Sequence, residues 1–127
     1  MSSAVTWSAP VRYAEVDGQG VVFNANYLLY CDEAMGAFCA QRGLLDFAAR
    51  IRLAASSLVW SGPAHWGDVM AVEARCVKVG RTSLTMTFDL RASGRACCAV
   101  ETTYVYADEH GTPLPIPDPA RAALLPA

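Results

Sequence analysis

The segment Val11-Arg-Tyr-Ala-Glu15-Val-Asp17-Gly-Gln-Gly20-Val-Val-Phe-Asn24-Ala-Asn26-Tyr27 concentrates the residues able to do chemistry. Asp17 stands between a β-forming stretch and a helical one, and Gly18 and Gly20 permit backbone conformations closed to other residues. Asn24 and Asn26 are both good N-caps for the helix that follows, and Tyr27 completes its start. The first N–H groups of a helix lack internal acceptors and carry the positive end of its dipole. A carboxylate facing a carbonyl polarised by such donors is a hydrolytic site that needs no metal, and one donor in a dry site is worth ~3 kcal/mol. The plainer reading is a turn, since Asp-Gly is a common turn pair whose aspartate bonds its own backbone. Glu15 lies two residues before Asp17, so on an extended strand the two share a face. Paired carboxylates can divide acid and base roles or raise one pKa; against this stands a solvent-facing glutamate at a strand end.

Other candidate chemistry is sparse. His65 and His110 stand far apart, neither in a metal-ligand spacing, which argues against a zinc enzyme. No Gly-x-Ser-x-Gly elbow occurs, and Gly18-Gln19-Gly20 is too short for a dinucleotide or phosphate loop. No cofactor is called for. Gly80-Arg81-Thr82-Ser83 places a forked cation and hydroxyls at a strand start, suited to a phosphate and equally to an exposed hairpin.

These residues need elements to hold them. The length, 127 residues, fits one domain spanning 1–127. At 54% hydrophobic and 17% charged, the chain can bury a core of roughly two-thirds of its unfolded surface. Net charge is −2, and the nine arginines and single Lys78 form no basic run, which excludes a nucleic-acid or anionic-membrane surface. No apolar stretch reaches a membrane span's ~18 residues, and the N-terminus shows no leader pattern. Cys31, Cys39, Cys76, Cys97 and Cys98 are odd in number and lack Cys-x-x-Cys, so they read as reduced, buried thiols of a cytoplasmic protein.

Residues 4–16 read as a first strand, with Pro10 marking an edge or bulge. From Asn26 to about Arg42, Tyr27, Leu28, Cys31, Ala34, Met35 and Phe38 recur at helical spacing, and Gly43 stops the helix. A short helical turn is expected around Leu44–Arg50. Strands follow at Leu53–Trp60, Met70–Cys76, Ser83–Leu90 and Ala96–Ala107, the third with Leu84, Met86, Phe88 and Leu90 on one face. After a stiff tail, Pro113–Pro119, a short helix is expected at Ala120–Leu125. The fold class is α+β: an antiparallel sheet of about five strands wrapped around one central helix.

Asp17-x-x-Gly20-Val-Val-Phe-x-x-x-Tyr27, with Ala34 in the helix, resembles the 4-hydroxybenzoyl-CoA thioesterase-like family of hot-dog fold thioesterases. Weaker supports are Gly67-Asp68, the Gly80–Ser83 turn and Pro115-Ile116-Pro117. The resemblance covers about Val11 to Arg121 and implies an acyl-CoA thioesterase. Asp17 would be the catalytic carboxylate, as nucleophile or as base for water, and the backbone N–H of Asn24 would polarise the thioester carbonyl. Glu15 and Tyr27 are carried as lesser catalytic candidates, and Arg81 and Ser83 as contacts to the CoA of the substrate. The implied unit is a homodimer, often paired into a homotetramer, with acyl-CoA or an acyl-carrier-protein thioester at a subunit interface. Glu15 stands where the family commonly has aspartate, and Asn24 where it more often has an aromatic or histidine, so the wall of the acyl pocket differs. Two alternatives stay open: a module that binds acyl-CoA or acyl-carrier protein without hydrolysis, and, ranked last for want of a placed histidine, a hydratase.

Overall fold

The computed structural model describes residues 5–125. Strand β1 (Trp7–Pro10) leads through a 3₁₀ turn (Tyr13–Glu15) to helix α1 (Asn26–Gln41) and the short helix α2 (Leu45–Ala48). Strands β2 (Ile51–Trp60), β3 (Val69–Val79), β4 (Ser83–Ala92) and β5 (Arg95–Tyr106) follow, then helix α3 (Asp118–Leu124). The sheet is antiparallel throughout, in the order β1-β3-β4-β5-β2. It curls over α1 in the hot-dog arrangement.

The packing follows from periodicity. Tyr27, Tyr30, Cys31, Ala34, Met35, Phe38 and Cys39 form the buried stripe of α1. Met70, Val72, Ala74 and Cys76 of β3, and Leu84, Met86, Phe88 and Leu90 of β4, meet it from the sheet. Each large side chain buried here contributes roughly 1.5–3 kcal/mol. Gly43, at φ +69°, takes the left-handed conformation that ends α1. Ser93 and Gly94, both at positive φ, form the tight β4–β5 turn.

Two expectations near the N-terminus need correction. The first strand is not 4–16: it ends at Pro10, and residue 4 lies outside the described residues. Beyond Pro10 the Glu15 carboxylate captures the Arg12 N–H and winds the chain into the 3₁₀ turn. Glu15 and Asp17 therefore do not share a strand face. The N-cap of α1 is Ala25, with no side-chain cap, rather than Asn24 or Asn26. Asn26 is the first helical residue, and its Nδ2 is spent on the Glu15 carbonyl.

Candidate active site

Asp17 opens a narrow hairpin in which Val16 pairs with Val22. Its N–H donates to the Val21 carbonyl at 2.9 Å, and its own carbonyl accepts the Gly20 N–H at 3.0 Å. Gly20, at φ +80°, supplies the turn's left-handed residue. The Asp17 side chain is exposed, and its Oδ1 accepts the Gln19 N–H at 2.8 Å. One carboxylate oxygen is thus locked in an Asx turn, while Oδ2 takes no hydrogen bond from the described residues.

The returning arm of this hairpin rests on the β2–β3 loop. Val21 bridges His65, and the Val22 N–H donates to the Ala64 carbonyl at 2.8 Å. Tyr27, 2% exposed in the first turn of α1, accepts the Ala64 N–H on its hydroxyl at 3.3 Å. Burial pushes its phenol pKa up. Its ring meets Trp60 edge-on, 5.6 Å between centroids. Val22, Asn24, Tyr27, Trp60 and Pro63 line a cleft of about 230 Å³ here. Among the described residues the Asn24 N–H finds no acceptor, although the Phe23 N–H before it and the Asn26 N–H after it are both bonded. The Ala25 N–H is free as well, so the segment offers two adjacent backbone donors, and the first of them, on Asn24, belongs to a residue lining the aromatic-walled cleft. A larger groove, about 580 Å³, lies on the outer sheet face between Ser57, Glu73, Arg75, Asp89 and Glu101, and its lining includes none of Asp17, Asn24 and Tyr27.

The remaining candidates divide. Glu15 is buried at 6% exposure. Its Oε1 accepts the Arg12 N–H and the Tyr30 hydroxyl, each at 2.9 Å, and its Oε2 accepts Arg12 Nε at 2.7 Å. Burial works to raise its pKa, but these bonds and the Arg12 charge outweigh it and hold the carboxyl below its ordinary value. Arg81 and Ser83 stand at the opposite end of the sheet. Trp60 shares a cross-strand row with Cys98, Leu90 and Val72, whereas Ser83 pairs with Val105. At 3.3 Å per residue the two rows are roughly 20 Å apart. Arg81 is exposed, and its carbonyl accepts the Ile116 N–H. One chain therefore brings Asn24 and Tyr27 into one cleft, sets Asp17 on the adjoining turn, and leaves Arg81 and Ser83 apart.

Sequence reasoning missed the Arg12–Glu15–Tyr30 cluster, for which the i,i+3 spacing of Arg12 and Glu15 was the available signal. It also missed the staple made by Asp68. Asp68 Oδ2 accepts the His65 N–H and Arg95 Nη2, both at 2.9 Å, and Oδ1 accepts the Ser93 hydroxyl at 2.9 Å. These bonds tie the loop under the hairpin to the β4–β5 turn. His65 is otherwise exposed, and His110 lies in a surface turn beside Glu109. Among the described residues no three His, Cys, Asp or Glu side chains are grouped to hold a metal, and no helix is long and apolar enough to cross a membrane.

Comparison with solved structures places this fold beside a thioesterase from Thermus thermophilus, solved in complex with coenzyme A and zinc. The TM-score is 0.86 at 28% identity, over 94% of this chain and 91% of that one. The family model of the thioesterase superfamily matches residues 19–99, well over half of the chain. An uncharacterised acyl-CoA thioester hydrolase of Zymomonas mobilis is 30% identical over 120 residues, 88% of this chain and 77% of its own length. A protein of Aquifex aeolicus is 26% identical over 83 residues, 61% of this chain and just under two-thirds (65%) of its own length. The chain belongs to the thioesterase superfamily. The matched region begins at Gln19, so it takes in the Asn24 cleft and stops short of Asp17.

Proposed function

We propose that the protein hydrolyses an acyl-CoA thioester to a carboxylic acid and the CoA thiol. The observation that carries this reading is the unengaged Asn24 N–H at the start of α1, beside a cleft walled by Tyr27 and Trp60. A thioester carbonyl in the cleft gains a fixed donor as its oxygen becomes an oxyanion. Asp17, with Oδ1 anchored and Oδ2 free, supplies the carboxylate on the neighbouring turn, either attacking the carbonyl or taking a proton from water.

The opposed positions of Arg81 and the cleft fit a two-chain site. Strand β2 is a ten-residue edge with Leu53, Val59 and Trp60 exposed. A second copy pairing antiparallel along it sets residue 60 of one chain beside residue 51 of the other. Residue 51 is in the row of Tyr106, whose N–H bonds the Thr82 carbonyl, so Arg81 and Ser83 of the copy come to the cleft end. There they would meet the phosphates of a CoA whose thioester lies at Asn24. Light scattering at micromolar concentration should return at least twice the 13.6 kDa chain mass.

The deciding experiment is a thioester panel, spanning short, branched and aromatic acyl-CoAs and acyl-carrier-protein thioesters, given to wild type and Asp17→Asn. The variant should lose kcat by at least about 100-fold with KM little changed, as for a group that acts in the transition state. Equal turnover by both proteins would remove Asp17 from the mechanism. A second reading, binding without hydrolysis, draws on the exposure of Asp17 and its absence from the cleft lining. It predicts tight acyl-CoA binding with no thiol released over hours.

A further inference from the structure

Glu15 is the most heavily bonded residue near the site. Besides the bonds from Arg12 and Tyr30, Arg12 Nη2 lies 2.6 Å from Oε2. Its backbone carbonyl accepts two more donors, the Phe23 N–H at 3.0 Å and Asn26 Nδ2 at 2.9 Å. The side chain thus ties the turn before Asp17 to the second turn of α1. The carbonyl ties the same turn to residues 23 and 26, which bracket Asn24. Every oxygen of Glu15 is committed, and no hydrogen bond joins it to Asp17 among the described residues. A carboxylate so occupied is poorly suited to exchanging protons with a substrate. Its cost is clear: an ionised group out of water must be fully paired to be tolerated. A hydrophobic contact would hold Tyr30 against the turn but would not set the direction of either.

We propose that Glu15 is a positioning residue for thioester hydrolysis, fixing the Asp17 turn and the Asn24 amide at one mutual distance through Tyr30, Phe23 and Asn26. The proposal rests on the reading of Asp17 and Asn24 given above. Displacing one reacting group by about 1 Å can cost on the order of 100-fold in rate, so a clamp on both groups acts on kcat.

The test compares wild type, Glu15→Gln, Tyr30→Phe, the double variant and Asp17→Asn on the best substrate of the panel. Measurements are made well below each protein's melting temperature, with kcat, KM and the pH profile of kcat. Glu15→Gln and Tyr30→Phe should each lower kcat about 10- to 100-fold with KM within about threefold. The double variant should fall no further than the worse single one, because the two side chains act as a unit. The pH limbs should keep their positions. Tyr30→Phe retains the carboxylate and its Arg12 bonds, so it decides the question if Glu15→Gln does not fold. Its amide spectrum should show shifts at Phe23, Asn24 and Asn26, which loss of stability elsewhere in the fold would not single out. Loss of a pH limb in Glu15→Gln would make Glu15 a proton-transfer group and overturn the proposal. So would wild-type kcat in both single variants when Asp17→Asn is inactive. Wild-type activity in Asp17→Asn would instead overturn the underlying reading, and the positioning role with it.

Discussion

Asp68→Asn probes the staple beneath the candidate site. Asp68 is nearly buried, its side chain 14% exposed, and receives an N–H from His65, the Ser93 hydroxyl and the Arg95 guanidinium. Burial opposes its charge, but the His65, Arg95 and Ser93 bonds outweigh that and hold the carboxyl at about 2, against an ordinary 3.8. The difference corresponds to about 2 kcal/mol of folding free energy at neutral pH. Because the folded-state pKa is the lower one, this contribution is complete above the unfolded value near 4. It fades as pH falls from about 4 through 2, and only below 2 are the folded and unfolded chains both protonated. Asparagine keeps the shape and one acceptor oxygen, yet loses the charge and turns an NH₂ towards donors. Thermal unfolding at pH 7 should therefore show a melting temperature lower by about 7 °C. Repeated at descending pH, the gap between wild type and variant should shrink below pH 4 and be small near pH 2. A gap of the same size at pH 7 and pH 2.5 would refute the assignment of this stability to the Asp68 charge.

Two further predictions concern the core and the thiols. Phe88, 1% exposed between Ala74 and Val100 in the sheet, should cost about 3–5 kcal/mol when replaced by alanine, read as a fall in melting temperature of about 10–20 °C. All five cysteines are buried, and burial foremost pushes Cys31 up to about 12 and Cys39, Cys97 and Cys98 up to about 11. A colourimetric disulfide reagent at pH 8 should find almost no thiol in the native protein and five in guanidinium, since the reactive thiolate is both scarce and shielded.

Much of the architecture was legible because it rests on local repetition. The helix over Asn26–Gln41 and the alternation of Ser83–Ala92 follow from spacings of three to four and of two, which burial of one face imposes on any such segment. Gly43 marked the end of the helix for the same local reason, a backbone conformation that few residues accept. The candidate cleft was half legible. Asn24 and Tyr27 were singled out as the start of a helix, and the structure places both in one cleft wall. Glu15 was not legible, since its burial depends on Tyr30, fifteen residues on, folding back over the turn.

By itself, the sequence determined which segments beyond Pro10 and its turn would be the long helix and the later strands, the apolar faces they would join, and a short list of polar residues with hydrolytic potential. Only the tertiary structure decided how those residues stand to one another. Periodicity says which way a side chain faces but not which strand lies beside it. Strand order and register alone put Trp60 next to Tyr27 and carried Arg81 to the far end of the sheet. A carboxylate's role depends on its surroundings more than on its neighbours in the chain. Glu15 became a paired, buried anchor, while Asp17, two residues away, kept one oxygen open to solvent.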